Sequence, residues 1–185
     1  MADSSTSQKS ALGFLTVIQD ATKGLFGGYL ILNPAGRPVE FHCTAPVRPN
    51  RAQQILYGPT LEPFLYGEQI AKTLIEKSKI MPRAICVDLP SIMCVRNLFS
   101  LPILLVCEKS GTTQGKDTSP QAFSKEPEAT ETEFLWNHHL LRAAHNKPED
   151  IQAMQKCLED LLIDFDLQEP FQRIREAISE AQKAC

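Results

Sequence analysis

Three acidic residues are the strongest chemical signal in this sequence. Glu68 falls within the apolar arc of the most regular predicted helix in the first half of the chain, where a carboxylate needs a partner. Asp20 and Asp88 each end a predicted strand, one on either side of that helix. Carboxylate oxygens are the ligands that Mg²⁺ and Mn²⁺ prefer, and a pair of such ions can stabilise both oxygens of a phosphoryl displacement. The three acids therefore indicate a divalent-metal site if they converge on one sheet edge.

Each of these acids also has a purely structural interpretation. Asp20 precedes a turn, where aspartate is common because its side chain bonds to the backbone. Asp88 precedes Leu89-Pro90-Ser91 and is a good candidate for a helix N-cap. Glu68 could be satisfied by a nearby arginine, lysine or tyrosine without any metal. The metal site and the structural roles are therefore both kept as alternatives.

A metal site of this kind would need further groups. Asp150, or Glu149 before it, could supply a fourth carboxylate, and His145 lies close by in sequence as a proton-transfer group. A nucleic-acid substrate would also require a basic groove. The basic residues that could line one are Lys23, Arg37, Arg48, Arg51 and Lys72.

The elements that would position these residues can be read from the hydrophobic pattern. Three short β-rich runs with a strong Asn33–Gly36 turn signal predict an antiparallel meander. An amphipathic helix follows, and then two continuous apolar strands that flank a short helix. The predicted strands are residues 12–19, 29–32, 39–44, 84–87 and 102–107, and the predicted helices between them are residues 60–78 and 90–99.

This order of elements resembles the core of the ribonuclease-H-like superfamily over residues 12–107. In that superfamily an aspartate on the first strand, a glutamate on the first helix and an aspartate ending the fourth strand commonly hold two divalent ions. The resemblance implies Asp20, Glu68 and Asp88 as the corresponding ligands, with Mg²⁺ or Mn²⁺ as cofactor. It also implies a metal-dependent nuclease or a related phosphoryl-transfer enzyme.

The composition along the chain predicts four regions. Residues 1–10 are polar and are expected to be a disordered tail, and residues 11–108 form the α/β domain with a mixed five-stranded sheet. Residues 109–132 are rich in Pro, Ser, Thr and Lys and predict a flexible linker. Residues 133–185 are expected to be an α-helical C-terminal region, which begins with a helix over 133–145.

The C-terminal region carries more apolar residues than a helix exposed to water would keep. These residues either pack on the α/β domain or form a helix-in-groove or self-association surface. The favoured function is accordingly a non-catalytic interaction or assembly module with a protein partner or a second copy, and the nuclease with a nucleic-acid substrate is the alternative. The residues expected to bind a partner are Phe134, Trp136, Leu140, Leu158, Leu162 and Phe165.

Composition limits the remaining possibilities. The 185 residues have a formal net charge of −3, which argues against a general affinity for nucleic acid or anionic membranes. The sequence contains no signal-peptide pattern and no apolar run of membrane-spanning length, so a cytoplasmic protein is expected. None of the six cysteines forms a CxxC pair, and neither a structural zinc site nor a disulfide framework is predicted.

Overall fold

The computed structural model describes residues 11–107, 132–161 and 165–183. The predicted tail and nearly all of the predicted linker lie outside these residues. Within them, seven strands form one mixed sheet in the order β3-β2-β1-β4-β5-β7-β6. The strands are β1 (Leu12–Asp20), β2 (Gly24–Leu32), β3 (Pro38–Cys43), β4 (Ala84–Val87), β5 (Ile103–Cys107), β6 (Glu133–Trp136) and β7 (His139–Ala143).

The predicted meander and the two apolar strands are confirmed. β1, β2 and β3 pair antiparallel, and β4 lies parallel to both β1 and β5. All four residues of β4 are buried, as expected for a strand covered on both faces. The Asn33–Gly36 turn also forms as predicted, with Gly36 at φ +71° and its N–H donating to the Asn33 carbonyl at 2.9 Å.

The predicted helix over residues 133–145 is wrong, because this segment forms the hairpin of β6 and β7. Asn137 and His138 both adopt positive φ, at 42° and 74°, and make the two-residue turn between paired Trp136 and His139. β7 then pairs antiparallel with β5, which extends the predicted five-stranded sheet to seven strands.

Two helical layers cover the sheet. On one face lie α4 (Glu149–Leu158) and α5 (Glu169–Lys183), whose apolar sides pack on the sheet. On the other face lie residues 61–77 and the 3₁₀-helix Pro90–Asn97. Residues 61–77 comprise α2 (Leu61–Pro63), the π-helix Phe64–Ala71 and α3 (Lys72–Lys77). None of the described helices combines the length and the apolar composition needed to cross a membrane.

The short helix α1 (Arg51–Tyr57) buries none of its seven residues. Its start is fixed by the predicted capping box, in which the Asn50 side chain accepts from the Gln53 N–H at 2.8 Å and Gln53 reaches back to Asn50. Its end is held through Tyr57, which stacks on Phe64 with ring centroids 4.2 Å apart. Capping and this single stack therefore hold α1 in place without burial of its own side chains.

The C-terminal helices do not leave their apolar residues free for a partner. Leu158 is 2% exposed, and Ile174 and Phe171 are fully buried against the sheet. Of the other residues expected to bind a partner, Phe134, Trp136 and Phe165 are partly buried and pack against this core, and Leu140 is partly buried. Leu162 lies outside the described residues. The apolar stripe is therefore part of the core on that face of the sheet.

Candidate functional site

The register of the sheet determines which acids can meet. Leu15 of β1 lies opposite Val87 of β4, so continuing this parallel register by one residue places Asp88 beside Thr16. Asp20 lies four residues further along β1, about 13 Å away at the rise of an extended strand. Asp20 and Asp88 are therefore not brought together at the sheet edge.

Glu68 is exposed, and the prediction that it faces the core is wrong. The cause is the π-helix, in which the Lys72 N–H donates to the Gly67 carbonyl five residues back instead of four. The buried residues of the π-helix are Leu65, Gly67, Ile70 and Ala71, whereas Glu68 is exposed. The wider turn removes Glu68 from the apolar arc that a regular α-helix would have given it.

Asp88 and Glu68 also lie on different sides of the sheet. The Asp88 carboxylate forms an ion pair with Arg175 of α5, whereas Glu68 belongs to the π-helix on the opposite face. The expected capping role of Asp88 is not seen either, since the N-cap of the following 3₁₀-helix is Leu89, without a side-chain hydrogen bond.

Asp150 has a structural partner instead of the predicted role as a fourth ligand. Its two oxygens accept from Arg96 Nε at 2.5 Å and Arg96 Nη2 at 2.8 Å, and both side chains are almost completely buried. Arg96 Nη1 donates to the Phe99 carbonyl at 2.7 Å. Hydrogen bonding to Asp150 is the main reason why the pKa of Arg96 is raised. This pair links α4 to the 3₁₀-helix Pro90–Asn97, which packs on the opposite face of the sheet.

The described residues do not fit a two-metal site. No group of three histidine, cysteine, aspartate or glutamate side chains lies close enough to hold an ion within the parts of the chain that the structure describes. Beside the end of β4 the donors are one carboxylate, from Asp88, and the hydroxyl of Thr16, with Arg175 supplying the positive charge. Divalent ions of this class need several anionic or carbonyl oxygens.

An open groove of about 670 Å³ lies at the end of β1 where Asp20 is found. Its walls come from the β1–β2 turn, from residues 47–49 and from the segment that joins α1 to α2. The side chains that give it polar or aromatic character are Gln19, Asp20, Arg48, Gln54, Glu62 and Tyr66. A groove of this volume is in the range that takes a nucleotide-sized ligand.

Several bonds fix the wall formed by the β1–β2 turn. Asp20 Oδ1 accepts from the Thr22 and Lys23 backbone N–H groups at 2.8 and 2.7 Å. These bonds, that from Lys23 first, lower the pKa of Asp20. Arg48 Nε donates to the Lys23 carbonyl at 2.7 Å, and its Nη2 donates to the Thr22 carbonyl. Gly24 is needed here, because φ is +106° and a Cβ would lie 2.6 Å from the Val47 carbonyl.

The opposite wall carries Glu62 and Tyr66. Glu62 accepts a hydrogen bond from Ser91 through Oε1. Burial, and secondly the charge of Glu62, raises the pKa of Tyr66. Of the five basic residues expected to line a groove, Arg48 lines this one, and Lys72 instead lines a separate hollow with Glu68.

Two strongly exposed apolar residues lie in sequence between the groove residues Gln54 and Gly58. Ile55 is 67% exposed and Leu56 is 81% exposed, directly after the groove residue Gln54. Sequence analysis did not single out either residue. The available signal was the Asn50 capping box, which starts a helix too short and too near Gly58-Pro59 to bury them.

No protein-family model and no curated protein sequence matches this chain. Among solved structures, human ENDOV is 16% identical, with a TM-score of 0.50, and the match covers 97% of this chain and 89% of that chain. A structure of Ciona intestinalis Endonuclease V bound to DNA that contains an inosine is 15% identical over 53% of this chain and 45% of that one. The TM-score of this second match is 0.36. The first match shows that this chain and human ENDOV share a fold.

Proposed function

We propose that this protein binds nucleic acid through the groove at the end of β1 and the exposed tip of α1, defined by Ile55 and Leu56. The observation that carries the proposal is that the groove residues Gln54 and Gly58 flank this exposed apolar tip along the chain, at a groove of nucleotide size. Contiguous exposed apolar patches can mark interaction sites, and apolar wedges inserted between bases are a recurrent device of nucleic-acid-binding proteins. The fold shared with human ENDOV supports the same class of ligand by analogy.

The charge of the site limits the form that this binding takes. Arg48 contributes a positive charge to the groove, and Asp20 and Glu62 contribute negative ones. With a net charge of −3, the chain cannot rely on a broad basic surface. We therefore expect stacking and insertion to supply most of the affinity, with one or two phosphate contacts. The slope of log K against log salt should then be only about −1 to −2.

The test is a fluorescence anisotropy titration of the full chain with labelled single-stranded and duplex RNA and DNA oligonucleotides. Replacing Ile55 and Leu56 by Ser should weaken binding by about tenfold or more, since full burial of an Ile or Leu side chain contributes about 1.5–3 kcal/mol. Leu135→Ser is the matched control, because Leu135 is 72% exposed but lies on β6. Equal binding by both variants, or no binding by the wild type, would contradict the proposal.

Divalent-metal-dependent cleavage of nucleic acid is a second candidate. It is favoured by the completeness of the fold match, which covers 97% of this chain. The same oligonucleotides incubated with Mg²⁺ or Mn²⁺ test it directly, with EDTA as the blank. Metal-dependent cleavage products that disappear in Asp88→Asn would establish an enzyme in which Asp88 takes part. Binding without cleavage would leave the first proposal in place and exclude the second for these substrates.

The remaining function predicted from the sequence, a protein-interaction module built on the C-terminal helices, has less support. Its apolar stripe is occupied by the core of the same chain. The tip of α1 is the exposed apolar surface that a protein partner would use instead. If this surface binds a protein and no nucleic acid, adding the full chain will leave the anisotropy of every oligonucleotide unchanged.

A further inference from the structure

Asp88 has an environment that differs from that of an ordinary surface aspartate. Its side chain is 5% exposed, and its Oδ2 accepts from Arg175 of α5. Its Oδ1 and the hydroxyl of Thr16 are both buried and close to each other, but neither makes a well-formed hydrogen bond among the described residues. Burial, the largest effect, raises the pKa of Asp88, while Thr16 and Arg175 lower it. The carboxylate therefore depends on its two neighbours to offset the cost of burial.

Thr16, Asp88 and Arg175 face the same side of the sheet. Thr16 pairs with Gly28 of β2, and a Cβ on Gly28 would collide with Ile174, the residue before Arg175. α5 thus packs on the sheet with its Ile174 side chain against Gly28 and its Arg175 side chain reaching Asp88. The lack of a side chain on Gly28 permits this close approach, and the ion pair fixes its position along the strands.

The same place is where the ribonuclease-H-like resemblance implied a metal ligand. Here the neighbouring strand contributes the hydroxyl of Thr16, and Leu15 before it is completely buried on the other face. A divalent ion would meet a single carboxylate already engaged by a guanidinium. Removing the guanidinium from a nearly buried acid would itself cost stability, because it leaves the charge without compensation.

We infer that Asp88 is an anchor for α5 and that Arg175 occupies the place of a cation at the end of β4, beside the middle of β1. In this chain Asp88 binds no metal. The inference is independent of nucleic-acid binding through the tip of α1, which lies on the other face of the sheet. It is incompatible with cleavage that depends on Asp88.

The test is a double-mutant cycle by urea unfolding, with Asp88→Asn, Arg175→Gln and the double variant, each with and without millimolar Mn²⁺. Glu180→Gln is the control, since it breaks an exposed pair with Lys183 on the same helix. Each single variant should lower the midpoint by more than the control does. The midpoint of the double variant should fall by less than the sum of the decreases in the two single variants, because the residues act as a pair.

The effect of Mn²⁺ on the unfolding midpoint distinguishes a structural anchor from a metal site. An ion that binds the native state raises its stability by mass action, so a wild-type midpoint unchanged by Mn²⁺ supports the inference. A wild-type midpoint raised by Mn²⁺, with the rise lost in Asp88→Asn, would overturn it, as would additive losses in the cycle. If Asp88→Asn fails to fold, Arg175→Gln still tests for a metal site. An increase of the wild-type unfolding midpoint in Mn²⁺ that becomes larger in Arg175→Gln would also identify Asp88 as a ligand.

Discussion

The two helical layers of this molecule are attached to the same sheet in different ways. α4 and α5 bury continuous apolar stripes, and charged residues tie them down through Arg96–Asp150 and Asp88–Arg175. On the other face, residues 61–77 pack well, but α1 before them buries none of its residues and exposes Ile55 and Leu56. The layer whose sequence suggested a partner surface is core, whereas the exposed apolar residues of α1 precede the other layer. An apolar stripe becomes informative about binding only when the structure shows what covers it.

The largest loss of stability is expected when the ion pair between Arg96 and Asp150 of α4 is broken. Arg96→Met should lower the free energy of unfolding by about 3–5 kcal/mol, because it leaves Asp150 buried without its partner. The control is Arg83→Met, which breaks a half-exposed pair with Asp160 just after α4 and should cost about 1 kcal/mol or less. Both are measured by urea unfolding. Equal losses in the two variants would mean that burial of the Arg96–Asp150 pair does not matter.

The other layer should respond to pH through Glu40 of β3. Glu40 accepts hydrogen bonds from the Lys79 and Ile80 N–H groups, which fixes the loop after α3. Burial raises the pKa of Glu40, but these bonds and those from His42 and Ser78 outweigh it and lower the pKa to about 2.

A carboxylate with a lowered pKa stabilises the fold above its ordinary value, near 4.5, and loses that contribution as the pH falls toward 2. Glu40→Gln should therefore cost roughly 2–3 kcal/mol at pH 7. The difference from wild type should shrink in urea unfolding at pH 3. A cost that is the same at both pH values would contradict this account.

Gly27 and Gly28 are adjacent in β2 and face opposite helical layers, so substitutions at these two positions allow the packing of the two faces to be compared. A Cβ on Gly27 would collide with Ile70 of the π-helix, and one on Gly28 would collide with Ile174 of α5. Because interiors are close-packed, each Gly→Ala variant should lose about 1–3 kcal/mol in thermal unfolding. A loss from Gly28→Ala alone would show that residues 61–77 move aside more easily than α5 does.

The smallest effect on stability is expected at the tip of α1. Replacing Ile55 and Leu56 by Ser removes side chains that are 67% and 81% exposed, so the unfolding free energy should change by no more than about 0.5 kcal/mol. Thermal unfolding checks this. A loss of several kcal/mol would mean that the tip packs within the chain, and the binding experiment with this variant would lose its meaning.

Local signals in the sequence were enough to predict much of the sheet. The alternation and turn chemistry of residues 12–44 predicted the meander, and the continuous apolar runs predicted β4 and β5 as strands covered on both faces. The hairpin of β6 and β7 was missed because its apolar residues are closely spaced. Asn137 was the available turn signal, since asparagine tolerates positive φ.

The candidate site was less predictable, for reasons that depend on three-dimensional structure. Glu68 is exposed and does not lie within the apolar arc, because a π-helix changes the helical period. No local residue pattern signals that change reliably. Asp20 and Asp88 were separated by strand register, which depends on β1–β4 pairing across more than 60 residues of sequence. Asp150 met Arg96 through the packing of α4, which the sequence alone does not specify.

The most direct test of the binding surface is hydrogen–deuterium exchange of the full chain with and without saturating oligonucleotide. The proposal predicts slower exchange in residues 51–66 and in the β1–β2 turn, with exchange in α4 and α5 unchanged. This pattern should disappear in the variant with Ser at positions 55 and 56 and persist in Leu135→Ser. Protection confined to α4 and α5, or no protection under conditions where the oligonucleotide is bound, would contradict the account.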